Sequence, residues 1–144
     1  MSPVSLASIP AELHRGTPIS IAMGNFLDAF YLFPLGESLE EPPPPSGNAT
    51  YDAYFAAVAE TLARRYRLRP PEWAFDDSRY LHRPFFASQA PALRATLLLE
   101  SPPAFRCRNL FVTSNALDRA SQHQTLYPVL QPISTQKLWA VGRD

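Results

Sequence analysis

The chain has 144 residues, 13 basic against 13 acidic side chains, and 46% hydrophobic residues with a generous aromatic share. That is enough to bury one core without staples and too apolar for a fully disordered chain. A net charge of zero gives no global field favouring nucleic acid over any other partner, and the single cysteine, Cys107, excludes an intrachain disulfide framework and points to a reducing compartment.

Met1 to Pro10 lacks a basic residue and a long apolar run, so no signal peptide is expected. The most apolar stretch, Ile19 to Leu35, is broken by Asn25, Asp28 and Pro34 and is too short for a membrane span. The expected location is cytoplasmic. Sixteen prolines, clustered at Pro42 to Pro45, Pro70-Pro71 and Pro102-Pro103, predict several short elements separated by stiff joints.

Thr17-Pro18 reads as a helix cap followed by a proline in the first turn. Ile19, Met23, Phe26, Leu27, Phe30 and Phe33 then recur with helical spacing until Pro34 and Gly36 stop the element. Residues 37–47, acidic and then proline-rich, predict an extended, mobile loop. Asn48 or Thr50 caps a second helix to about Tyr66, with a stripe of Tyr51, Tyr54, Phe55, Val58 and Leu62. Asp52 sits near its positive end, and Arg64, Arg65 and Arg67 near its negative end.

Residues 69–73 are extended before their prolines, and 74–88 read as irregular. A third helix is expected from Ser88 or Ala90 to about Glu100. A short one follows from Ser101-Pro102 to about Arg108, then a link from Asn109 to Val112, and a last helix from Thr113 or Ser114 to Ala120. Residues 121–144 show no helical period and read as an extended tail, with Lys137 to Val141 a candidate short strand. The expected fold is mainly α: a single irregular bundle of four to five short helices over residues 1–120, with Pro-rich joints and an extended C-terminal tail.

Charge divides the chain. Residues 1–60 hold one basic side chain, Arg15, against seven carboxylates; residues 61–120 hold ten arginines against five. Arginine brings planar, bidentate contacts and stacks on aromatic faces. Against this supply, catalytic groupings are thin. No phosphate loop, nucleophile elbow or metal-spaced cysteine or histidine pair occurs. Asp76-Asp77 reads as a loop cap, with Asp77 near Arg79. Cys107 lies between Arg106 and Arg108, whose charge would lower its pKa, yet no base accompanies it. No cofactor, metal or small-molecule substrate is expected.

The segment Arg64 to Arg69 is the densest basic cluster. It reads either as a helix C-terminus or as a contact for an acidic protein surface or phosphates. Phe105 to Val112 carries the most information. Arg106 and Arg108, two apart, cannot share a helix face. One is expected to pair inward, with Glu100 or Asp118, while the other points out. Asn109 suits a helix end in the left-handed conformation, and Phe105, Leu110 and Phe111 suit the core.

Pro71-x-Trp73, Pro84-Phe85-Phe86, Leu93-Arg94-Ala95, Glu100-Ser101-Pro102-x-Ala104-Phe105-Arg106-x-Arg108-Asn109-x-Phe111-Val112 and Ala116-Leu117-x-Arg119 follow in an order and spacing that resembles a recurrent bacterial module. That module often lies behind a helix-turn-helix segment in predicted regulators. It is frequently encoded beside nucleotidyltransferase-like proteins in apparent toxin–antitoxin pairs. The resemblance covers roughly residues 50–120. It implies an antitoxin-like, non-catalytic protein that binds and neutralises such a toxin, the product of the adjacent gene. The chain departs from the pattern in lacking a DNA-reading helix-turn-helix near its N-terminus and in having Cys107 where a third arginine is usual. Together with the basic clusters, the resemblance nominates Arg64, Arg65, Arg67, Trp73, Arg106, Arg108 and Asn109 as partner-binding residues. The alternative expectation is a nucleic-acid-binding transcriptional regulator using the basic residues 61–120.

Overall fold

The computed structural model describes residues 4–120. The expected tail over 121–144 lies outside the described residues. The fold is mainly α, as the sequence predicts. Among the described residues six α-helices run in order: α1 (Ile9–His14), α2 (Ile19–Leu32), α3 (Glu37–Glu40), α4 (Ala49–Arg65), α5 (Pro91–Glu100) and α6 (Pro103–Arg106). Two-residue strands β1 (Phe85–Phe86) and β2 (Leu110–Phe111) pair in parallel, Phe85 beside Leu110 and Phe86 beside Phe111.

Helix α4 is the axis of the molecule. Asn48 starts it by accepting the amides of Thr50 and Tyr51 at 2.9 and 3.2 Å, which satisfies two of the four unpaired donors of a helix N-terminus. From Phe55 to Ala63 every residue is buried, so α4 is enclosed rather than laid on a surface. Its alanines Ala53, Ala56, Ala57, Ala59 and Ala63 let neighbours approach from several sides. The C-terminus closes with the amide of Leu68 on the Ala63 carbonyl (2.7 Å) and that of Arg67 on the Arg64 carbonyl (3.3 Å). Arg67 takes the left-handed conformation, φ 59°, at the position where helices of this ending usually carry glycine.

Helix α2 buries Ala22, Met23, Phe26, Leu27, Phe30 and Tyr31; of the predicted stripe Met23, Phe26, Leu27 and Phe30 are buried, Ile19 is half-buried and Phe33 is exposed, while Ala22 and Tyr31 join the face unpredicted. Its aromatic end meets α4 where the rings of Phe30 and Tyr66 stand edge to face, 5.4 Å apart. The Tyr31 hydroxyl donates to the Leu117 carbonyl. Pro18, rather than Thr17, occupies the cap position.

Three local expectations need correction. Residues 37–47 are not a free extended loop. Glu37 to Glu40 forms α3, and Leu39 enters the core. The Leu39 carbonyl accepts Trp73 Nε1 at 2.9 Å and the Pro43 carbonyl accepts Arg79 Nη2 at 2.8 Å. Residues 109–112 are not a mere link, because Leu110-Phe111 forms β2. The amides of Leu81, Phe85 and Ala87 bond the carbonyls of Arg108, Asn109 and Phe111, strapping the irregular 81–87 segment to it. Finally, Thr113 to Ala120 is not a helix. It turns, with the Thr113 hydroxyl bonded to Asn115 Oδ1 and Leu117 as its one buried anchor, because short polar side chains compete with helical hydrogen bonding.

Candidate functional site

The nominated arginines separate into two groups. At the end of α4, Arg64 and Arg67 are exposed and Arg65 is half-buried. At the end of α6 Arg106 is exposed, while Arg108, in the turn that follows, is fully buried. One arginine of that pair turns inward and the other outward, as expected, although Arg108 lies in the turn beyond the helix and not on its opposite face. The inward partner is neither Glu100 nor Asp118; it is Glu60, reached across the α4–α6 contact.

Arg108 is a structural hub. Nη1 lies 2.7 Å from Glu60 Oε1 and 2.7 Å from the Ala104 carbonyl; Nη2 lies 2.7 Å from the Ala74 carbonyl. The guanidinium sits over the Tyr80 ring, 4.7 Å from its centroid, and faces Phe75 at 5.7 Å. The planar fork thereby joins α4, α6 and the single turn Glu72–Phe75 through one side chain. Glu60 is shared: its Oε2 receives Arg64 Nε at 2.8 Å. Burial pushes the Glu60 carboxyl up, but the hydrogen bonds from Arg108 and Arg64 outweigh it and hold the group below the usual glutamate value. Arg108 is thus removed from the partner-binding set: a residue with no exposed surface meets no partner.

Trp73 and Asn109 are likewise committed internally. Trp73 is half-buried. Its indole N–H bonds Leu39, and its ring lies under the guanidinium of Arg79 at 4.8 Å. Asn109 adopts φ 63°, the left-handed end predicted for it, and its Nδ2 donates to the Leu81 carbonyl at 2.7 Å. Both shape the framework around α6.

Two side chains escaped the sequence reading. Arg79 is buried, spans the Asp52 and Pro43 carbonyls at 3.2 and 2.8 Å and clamps the proline segment to α4. Ser101 is buried between α5 and β2. Its Oγ accepts the Val112 amide at 2.9 Å and lies 2.6 Å from the Leu97 carbonyl. The sequence placed Arg79 beside Asp77; its guanidinium instead reaches the Asp52 and Pro43 carbonyls. Ser101 was read only as a cap.

Of the candidate catalytic groups, Asp76 is engaged and Cys107 is an exposed free thiol. Asp76 caps its turn, with Oδ1 accepting the amide and hydroxyl of Ser78. Those bonds hold its carboxyl below the usual value. Burial pushes the Cys107 thiol up against the pull of Arg108, the reverse of the activation its arginine neighbours suggest. Among the described residues no group of three or more His, Cys, Asp or Glu is placed to hold a metal, and no helix is long and apolar enough to cross a membrane.

What remains available at the surface is Arg64, which keeps most of its side chain in solvent beside Glu60, together with Arg67 and Arg106, which have no carboxylate partner among the described residues. Compared with protein-family models, curated proteins and solved structures, the chain finds no match.

Proposed function

We propose that this chain is a non-catalytic, cytoplasmic protein-interaction module, the antitoxin-like partner that binds and neutralises a nucleotidyltransferase-type toxin encoded beside it. The observation that carries this reading is the set of exposed arginines, Arg64 and Arg106 on α4 and α6 and Arg67 in the turn that closes α4. They are mounted on a buried Arg108–Glu60 framework. Arginines carried on already ordered backbone spare the cost of ordering the main chain on binding and suit an acidic protein surface. The motif resemblance over roughly residues 50–120 supplies the class of partner. The capping bonds of Asp76 to Ser78 favour binding over chemistry at that carboxylate.

Co-expression with the neighbouring gene product tests this. The two proteins are expected to co-purify, growth inhibition by the neighbour is expected to be relieved, and joint Arg64→Ala and Arg106→Ala substitution is expected to weaken the complex while the domain stays folded. A neighbour neither bound nor restrained overturns the proposal. Salt-sensitive binding to DNA or RNA with no protein partner would favour the regulator reading instead.

A further inference from the structure

Pro42 to Pro45 is an ordered ridge. Each residue from Glu41 to Pro44 precedes a proline, which confines it to the extended region, and Glu41 sits at φ −79°, ψ 127°. A run of prolines in that conformation is a left-handed polyproline II helix with three residues per turn. Burial repeats with the same period. Pro43 is buried and Ser46 half-buried, while Glu41, Pro42, Pro44 and Pro45 are exposed. One edge of this helix therefore faces the fold and two face solvent, and Pro42 and Pro45 share a solvent edge. The inner edge is pinned. Arg79 Nη2 bonds the Pro43 carbonyl at 2.8 Å, Asp52 Oδ1 accepts the Ser46 amide at 3.0 Å, and just upstream Trp73 Nε1 bonds the Leu39 carbonyl at 2.9 Å. Among the described residues, the carbonyls of Pro42, Pro44 and Pro45 accept no hydrogen bond.

Such a helix has a characteristic kind of receptor. Proline-rich segments dock in aromatic-lined grooves, and a helix formed beforehand loses little freedom on docking. The charges that the chain places at the ridge select among grooves. Glu40 and Glu41 lead directly into it and are exposed, and Asp52 holds Ser46. Among the described residues the cation that touches it is Arg79, which is buried, bonded to the Pro43 and Asp52 carbonyls and laid over Trp73. An acidic lead-in complements a basic border on the receptor. We infer that Pro42 to Pro45 is a preformed ligand for a partner domain with an aromatic-lined, base-bordered proline-binding groove, docked along the Pro42/Pro45 edge. The contact uses none of Arg64, Arg67 and Arg106 and goes beyond the proposed function.

An isolated SH3 domain, whose groove is aromatic-lined, serves as the probe in two forms, with lysines or with glutamates bordering the groove. The full chain is expected to bind the lysine-bordered form about tenfold tighter than the other. The Pro42→Ala/Pro45→Ala variant, which alters only exposed positions, is expected to lose about tenfold in affinity for that form while keeping its thermal melt near the parent's. The Glu40→Gln/Glu41→Gln variant leaves the prolines in place and is expected to bind the two forms alike. No binding of either form, equal binding of both by the parent, or a folded proline variant that binds as well as the parent overturns the proposal. If the proline variant does not fold, the glutamate variant decides: a preference for the lysine-bordered form kept in full overturns the basic-groove assignment. Co-purification with the neighbouring gene product reports on the arginine face alone, so either reading can fail without the other.

Discussion

Arg108 and Glu60, 48 positions apart in the chain, meet at 2.7 Å with the arginine fully buried. Two charges taken out of water cost several kcal/mol each, repaid here by mutual attraction and by the Ala104 and Ala74 carbonyls. The pair fixes where α6 sits on α4, and therefore where Arg106 points.

Removing one partner strands the other. Arg108→Ala or Glu60→Ala is expected to cost about 3–5 kcal/mol in urea denaturation. Arg108→Lys is expected to restore little of it, because an ammonium cannot reproduce the fork or the stack on Tyr80. Joint replacement by Met and Leu is expected to recover much of the loss. A single variant as stable as the parent would show the pair to be dispensable.

Arg106→Ala, two residues away but exposed, is expected to shift stability by no more than about 0.5 kcal/mol while weakening the partner complex. The contrast with Arg108→Ala separates surface from framework, read by melting and co-purification side by side.

The pH dependence follows from Glu60. Its folded value lies below the ordinary 4.5, so the unfolded chain binds the proton more readily. The stability it contributes is fully present above the unfolded value and is lost as pH falls through the folded one. Urea midpoints measured downward from neutral pH are expected to drop across this acid range, with a shallower slope in Glu60→Gln. Asp76, lowered by its Ser78 bonds, acts in the same direction and keeps part of the slope in the variant.

Arg67 carries left-handed strain at the end of α4. For a residue with a Cβ that conformation costs roughly 1–2 kcal/mol, partly offset on substitution by the greater unfolded-state freedom of glycine. Arg67→Gly is therefore expected to raise stability by up to about 1 kcal/mol, and Arg67→Val to lower it.

Ser101→Ala is expected to cost about 1–3 kcal/mol, because the buried Val112 amide loses its acceptor. Thermal denaturation reads this directly. Ser101→Thr, which keeps the hydroxyl, serves as the rescue variant.

Local chemistry was legible in the chain itself. Asn48 as cap, the apolar face of α2 at Met23, Phe26, Leu27 and Phe30, the left-handed Asn109, Asp76 as a turn cap and the opposed directions of Arg106 and Arg108 all depend on near neighbours, and periodicity and side-chain hydrogen bonding report on those. The tertiary structure alone decided what depends on distant contacts. Glu60 rather than Glu100 or Asp118 receives Arg108, because α4 and not the adjacent helix packs against α6. Residues 37–43 are held down because Trp73 and Arg79, some thirty-five positions later, take up the Leu39 and Pro43 carbonyls. The strand pairing of Phe85-Phe86 with Leu110-Phe111 was invisible because two-residue strands have no period. The Arg/aromatic motif is accordingly less a binding surface than the sequence suggests. Its arginine at 108 lies in the core, where the Glu60 carboxylate and the Ala104 and Ala74 carbonyls converge on its guanidinium, and of the pair Arg106 alone stays exposed.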